Sequence, residues 1–308
     1  MTEGAVSDRM TGKVLKGIGG LYSVYFADDK EYLAKPRGIF RKSGHSPYPG
    51  DNVMVSPSGD PDVPYCIDEI MPRKNFLDRP IVANVDAILI FSSASSPEPD
   101  YYLIEKMLIL CARDGIDPAV CITKSDLDLL SAETIRDLYD KAGFKTFVFG
   151  FGMKGDDEGL RKFIKNRTIT FAGASGTGKS TLINALVGSA YMNTGVLSEK
   201  NKKGKHTTRH TELIRFDGGF ITDTPGFTTL EISELGLDGN SVENAYPELK
   251  AVSERCKFSG CRHMGEKGCF AEFSGIDQGR LERYRYFRRS ADSVPEHIRK
   301  KIGGSQNG

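Results

Sequence analysis

The chain has 308 residues, 42 Lys and Arg against 41 Asp and Glu, and a net charge of +1. That length exceeds one typical domain and predicts two or three. No run approaches the roughly 18 apolar residues that span a bilayer, and the N-terminus has no apolar signal-like stretch, so a soluble, cytosolic protein without membrane contact is expected.

Residues 11–71 alternate short β segments with Gly, Pro and Asp clusters. Gly12–Lys16, Leu21–Phe26, Glu31–Lys35, Asp51–Ser56 and Tyr65–Ile70 read as the five strands of an OB-type barrel, a fold that often binds oligonucleotides. From residue 84 continuous apolar runs appear at Ala87–Phe91, Ala119–Thr123, Thr146–Phe149, Thr168–Ala172 and Gly219–Thr222. Helical stretches such as Tyr101–Arg113 and Ala132–Ala142 lie between them. Strands buried on both faces with crossover helices predict a parallel α/β sheet, and Thr211–Phe216 is expected to add an antiparallel strand. Beyond Leu230 the chain turns helical and Cys-rich, then basic, with a disordered end expected at Gly303–Gly308. The predicted division is a barrel over residues 1–72, an α/β domain over 73–232 and a helical module over 233–308.

Two nucleotide-binding motifs stand in reverse order. Gly173, Ala174, Ser175, Gly176, Thr177, Gly178, Lys179 and Ser180 match G-x-x-x-x-G-K-[ST] between a strand and a helix that opens with Thr181. Glycines let successive amides face the β-phosphate, the helix N-terminus adds its positive dipole end, Lys179 reaches the β- and γ-phosphates, and the Ser180 hydroxyl suits Mg²⁺. About fifty residues earlier, Thr123, Lys124, Ser125 and Asp126 end an apolar strand. An ionised Asp126 accepts from both the N1–H and the amino group of guanine, whereas adenine offers an acceptor at N1. Ordinary small GTPases carry the phosphate loop first, so one complete GTP site requires a circularly permuted P-loop GTPase domain.

Other pieces fit that site. Asp223-Thr224-Pro225-Gly226 follows a strand roughly 45 residues after the phosphate loop, placing Asp223 for Mg²⁺ and the Gly226 amide for a γ-phosphate. Thr207 and Thr208, in Gly204–Thr208, are both candidates for the mobile threonine that closes on Mg²⁺. The glutamine that often orients the attacking water is replaced by Phe227, leaving His206 as the internal candidate. Lys179, His206 and Thr208 are thus the candidate catalytic residues.

Three of the six cysteines crowd into Cys256-x₄-Cys261-x-His263-x₅-Cys269. Three thiolates and an imidazole suit one tetrahedral, structural Zn²⁺. Three basic stretches, at residues 32–50, at 200–210 and at Arg280–Arg289 with its interleaved aromatics, are compatible with docking on a phosphate backbone.

The order of these motifs, with a β-barrel before them and the Cys/His cluster after, resembles the RsgA (YjeQ/YloQ) family of circularly permuted GTPases that act in maturation of the bacterial small ribosomal subunit. The resemblance covers nearly the whole chain, including Asn75–Pro80 and Ala83–Asp86. It implies GTP and GDP as ligands, the small subunit and its rRNA as partners, and weak intrinsic hydrolysis stimulated by that subunit; it also points to His206. One departure is Phe149-Gly150-Phe151-Gly152, where the family usually carries Ser-Ala after an apolar strand. Rival readings are a P-loop ATPase of similar topology and a nucleic-acid-binding module in which GTP is structural. A monomer is expected.

Overall fold

The computed structural model describes residues 9–38, 40, 46–150, 152, 155–187, 211–222 and 232–305. The chain divides into two compact units, one holding residues up to Asp86 with Ile164–Thr170 and Ala190–Pro225, the other Ala87–Phe163, Phe171–Ser189 and Gly226 onwards.

In the first unit, strands β1 (Met10–Ile18), β2 (Leu21–Phe26), β3 (Glu31–Pro36), β4 (Asn52–Pro57) and β5 (Tyr65–Ile70) close into a barrel of order β1-β2-β3-β5-β4. β1 pairs with both β2 and β4, and its register shifts between Val14 and Lys16, the kind of bulge that lets one strand curl around a small barrel. Val14, Val24, Phe26, Ala34, Val53, Val55 and Ile67 fill the interior. A short hairpin, β6 (Phe76–Asp78) and β7 (Ile81–Ala83), was not legible in the sequence. Its approach is fixed by the fully buried Asp51, which accepts two hydrogen bonds from Arg73 at 2.7 and 2.9 Å. The Arg73 guanidinium lies over Phe76 at 4.9 Å. Strands β12 (Leu213–Phe216) and β13 (Gly219–Thr222) form the expected antiparallel pair. They rest on the barrel through Tyr25 against Phe220 (5.6 Å between rings) and through the Arg215–Asp29 and Lys16–Glu212 ion pairs at 3.0 and 2.8 Å.

The second unit carries β8 (Ala87–Ser93), β9 (Asp117–Thr123) and β10 (Lys145–Val148), all parallel. β11 (Thr168–Gly173) begins in the first unit, where Thr168 and Ile169 pair in parallel with Phe220 and Ile221 of β13, and ends in the second, beside β8. Every residue of β8 and β11 is buried, as strands covered on both faces require. Helices α1 (Tyr101–Asp114), α2 (Leu129–Lys141), α3 (Asp157–Ile164) and α4 (Lys179–Val187) alternate with these strands. Asp100 and Asp128 cap α1 and α2 by accepting from the third amide of each, both at 2.9 Å.

The C-terminal part of this unit is helical: α5 (Gly239–Glu243), α6 (Pro247–Val252), α7 (Gln278–Asp292) and α8 (Glu296–Ser305). The chain stays helical through Gly303 and Gly304 to Ser305, which corrects the expected disorder for those three residues, while 306–308 lie outside the described residues. The arginine-rich stretch also differs from its reading as a basic docking face. Arg280 and Arg288 are only 1% exposed. Arg280 pairs with Glu248, Arg288 with Glu243, and Arg285 with Glu272. Arg283 donates to Glu105 of α1 at 2.7 Å, beside Arg280 at 3.4 Å and the Tyr246 hydroxyl at 2.6 Å. Burial holds the Glu105 carboxyl above the ordinary carboxylate range, against the opposing pull of the two guanidiniums. These cations were spaced to reach carboxylates inside the fold. No helix among the described residues is long and apolar enough to cross a membrane.

Breaking a buried pair leaves an uncompensated charge at a cost of about 3–5 kcal/mol. Arg280→Met is therefore expected to lower stability by about that amount in denaturant titration, while Arg289→Met, on the exposed side of α7, shifts it by less than about 0.5 kcal/mol.

Candidate nucleotide site and metal centre

The phosphate loop leaves β11 at Gly173 and enters α4 at Lys179. Glycine is dictated at its first position: φ is +138°, and an added Cβ would lie 2.6 Å from the Phe91 carbonyl oxygen. At Gly178, φ is +80° and a Cβ would meet the Thr123 hydroxyl at 3.3 Å. Thr177 is buried, and its hydroxyl donates to the Ala174 carbonyl at 2.9 Å, bracing the turn. Lys179 folds back over the loop and donates to Gly173 O and Ala174 O at 2.6 and 2.5 Å. Burial holds its ammonium below the ordinary lysine range. Ser175, Gly176 and Ser180 are exposed along the loop, and Thr181 is exposed at the start of α4.

The Thr123–Asp126 segment leaves the end of β9 beside that loop. Thr123 is fully buried, and its hydroxyl donates to the Thr177 carbonyl at 2.7 Å. The two motifs are therefore joined by a direct hydrogen bond across 54 residues of sequence. Lys124 has a φ of +59°, which turns the chain so that the Leu127 amide donates to the Lys124 carbonyl at 3.0 Å. This reversal leaves Asp126 exposed at the tip.

Phe149 and Gly150 run alongside. The Ser125 amide donates to Phe149 O at 3.1 Å, and a Cβ placed on Gly150 would lie 3.5 Å from Asp126 Oδ1. The departure from Ser-Ala thus leaves the segment next to the Asp126 carboxylate, with glycine where a side chain would crowd Ser125. His206, Thr207, Thr208, Asp223, Gly226 and Phe227 lie outside the described residues.

Cys256, Cys261, His263 and Cys269 bring one ligand atom each within 4.8 Å of one another. The His263 Nδ1 lies 3.7, 3.8 and 3.4 Å from the sulfurs of Cys256, Cys261 and Cys269. A tetrahedral ion with bonds of about 2.3 Å to sulfur and about 2.0 Å to nitrogen needs a separation of about 3.5 Å, so the donors fit. Burial pushes the Cys261 thiol up to about 12 and the His263 imidazole down. The neutral ring is ready to ligate, and a cation would favour the thiolate form of Cys261.

Sequence reasoning missed what supports this centre. Glu266 accepts from the Arg262 and Met264 amides at 3.0 and 2.7 Å. Arg285 and Tyr284 of α7 donate to the carbonyls of His263 and Arg262, both at 2.9 Å. The interleaved aromatics and arginines were the available signal, and it was read as a surface.

A barrel of OB type, a P-loop α/β domain whose base-reading strand precedes its phosphate loop, and a Cys₃His module define a circularly permuted GTPase. The family model for the RsgA GTPase matches residues 70–233, and that for the RsgA N-terminal domain matches 11–62. A small ribosomal subunit biogenesis GTPase RsgA from Ruminiclostridium cellulolyticum is 40% identical over 94% of this chain and 96% of its own length. Its counterpart in Clostridium beijerinckii is 37% identical over 95% and 100%. Among solved structures, YloQ, titled a circularly permuted GTPase, aligns with a TM-score of 0.76 at 29% identity over 96% of this chain and 99% of its own. YjeQ from Thermotoga maritima aligns with a TM-score of 0.76 at 28% identity over 93% and 100%. The chain belongs to the RsgA GTPase family.

If the Cys₃His cluster holds an ion, chelation at neutral pH is expected to lower the thermal midpoint of the protein and to expose Cys256, Cys261 and Cys269 to alkylation. Metal-free protein with the same midpoint and the same thiol reactivity would show that the cluster holds nothing.

Proposed function

We propose that this chain is a GTP hydrolase that docks on the small ribosomal subunit and hydrolyses GTP during late maturation of that particle, with docking and release set by the bound nucleotide. The observation that carries this reading is the hydrogen bond from the Thr123 hydroxyl to the Thr177 carbonyl, which supports a shared site for the base-reading and phosphate-binding motifs. Family membership and the names of the relatives support the ribosomal role.

In this reading Asp126 accepts two hydrogen bonds from guanine, each worth roughly 1.5–3 kcal/mol. An adenine would leave the carboxylate facing an acceptor, which disfavours an ATPase. The amides of Gly173–Ser180 cradle the phosphates. Lys179 exchanges its carbonyl partners at Gly173 and Ala174 for β- and γ-phosphate oxygens. Hard oxygen donors for Mg²⁺ come from Ser180, from Thr207 or Thr208, and from Asp223, while the Gly226 amide meets the γ-phosphate. Bound Mg²⁺ neutralises charge between the phosphates. Phe227 has no polar group to orient water, and His206 takes that role.

The Cys₃His cluster has four donors and leaves no open position, so it suits one structural Zn²⁺ rather than a reactive centre. The barrel, residues 1–72, and the zinc module, residues 233–308, flank the GTPase domain, residues 73–232, and together bind subunit rRNA. The protein acts in the cytoplasm as a monomer.

GTP turnover titrated with small subunits, large subunits and free RNA tests this account. Small subunits alone should raise turnover by at least about tenfold, and His206→Ala should remove most of that rise with little change in GTP affinity. Equal stimulation by free RNA, or none by small subunits, would contradict the ribosomal role. Undiminished stimulation in His206→Ala would remove that residue from the mechanism.

A further inference from the structure

Between the two motifs runs a segment that matches no nucleotide-binding pattern, Ser92–Pro97, at the end of β8. It hydrogen-bonds to the base loop and lies beside the phosphate loop. The Ala94 amide donates to the Thr123 carbonyl at 2.8 Å, and the Ser92 carbonyl lies 3.3 Å from the Thr123 hydroxyl. The Lys124 ammonium donates to the Ser96 carbonyl. On the other side, a Cβ on Gly176 of the phosphate loop would stand 3.6 Å from Pro97 Cδ, in van der Waals contact. The segment is braced internally by the Ser95 amide, which donates to the Ser93 hydroxyl at 3.1 Å. Ser93 is fully buried, whereas Ser96 is exposed. A rigid base therefore presents a carbonyl at the pocket edge.

We propose that Ser92–Pro97 is a third wall of the guanine nucleotide pocket, in which the Ser96 carbonyl positions the Lys124 ammonium and Pro97 flanks the phosphate loop. This rests on the GTP-binding reading above and adds what sets how long the nucleotide stays. A lysine in the base loop has four rotatable carbons and a compact charge with no preferred direction. An acceptor at a fixed place removes that freedom before the nucleotide arrives, and preorganisation of this kind lowers the cost of binding. Pro97 matters because it restricts the backbone of the residue before it, Ser96, and so fixes the direction of that carbonyl. The wall contacts the base loop and lies beside the middle of the phosphate loop, so it acts alike on GDP and GTP. Pro97 and the Ser96 backbone are positioning elements, with no part in the chemical step.

Displacement of fluorescent GDP and GTP from the full-length protein with Mg²⁺, followed by stopped flow, tests the proposal. Pro97→Gly and Lys124→Ala are each expected to speed release of both nucleotides about tenfold, the size of one charge-assisted hydrogen bond. Release from the double variant should be no more than about twice as fast as from the faster single variant, because the two substitutions break the same link. Thermal midpoints report folding, and Pro97→Ala replaces Pro97→Gly if that variant is unstable. Release from Pro97→Gly at the wild-type rate, or rates that multiply in the double variant, would overturn the wall while leaving the GTP site standing. Failure of the wild-type protein to hold guanine nucleotide at all would overturn both.

Discussion

A buried hydroxyl between two loops carries the most weight in this molecule. Thr123 and Thr177 belong to motifs that sequence order separates, and neither motif makes a GTP site alone. The sheet brings β9 and β11 to either side of β8, and the loops that leave β9 and β11 meet at the hydrogen bond from Thr123 to Thr177. Ligands in open α/β sheets bind at the loops that follow such strands. Because Thr123 is fully buried, its hydroxyl must find an acceptor inside the protein, and the Thr177 carbonyl supplies it.

The second constraint is charge matching behind the site. Glu105 of α1 meets Arg280 and Arg283 of α7, and Tyr246 adds a hydroxyl. The Cys₃His cluster sits on the same helix through Tyr284 and Arg285. A charged network of this kind contributes little net stability compared with a packed apolar core, but it penalises any arrangement that leaves one member unpaired. It therefore specifies how α7 lies against α1 within this unit, and it ties the geometry of the Cys₃His loop to the GTPase helices.

Much of this was legible in the sequence because the signals were local. All five barrel strands and strands β8 to β13, with the antiparallel pairing of β12 and β13, follow from alternation, apolar runs and turn residues. The phosphate loop declares itself by glycines whose backbone only glycine tolerates, as at Gly173, and the metal cluster by three cysteines and a histidine within fourteen residues. What the sequence concealed depends on pairing across distance. Whether Arg280 faces solvent or Glu105 is decided 175 residues away, and no window around Arg280 contains the answer. The Ser92–Pro97 segment reads as an ordinary polar loop, since its contribution is made by backbone carbonyls and a proline ring. The hairpin Phe76–Ala83 escaped notice because its strands have only three residues each.

The central claim is that a carboxylate from one motif and an ammonium from the other serve a single nucleotide. Binding of guanine and xanthine nucleotides to Asp126→Asn and Lys179→Ala proteins measures this most directly. An asparagine at 126 turns one acceptor into a donor, so that variant is expected to lose GDP and gain XDP, while Lys179→Ala loses affinity for both. An Asp126→Asn protein that keeps its preference for GDP over XDP would contradict the shared pocket.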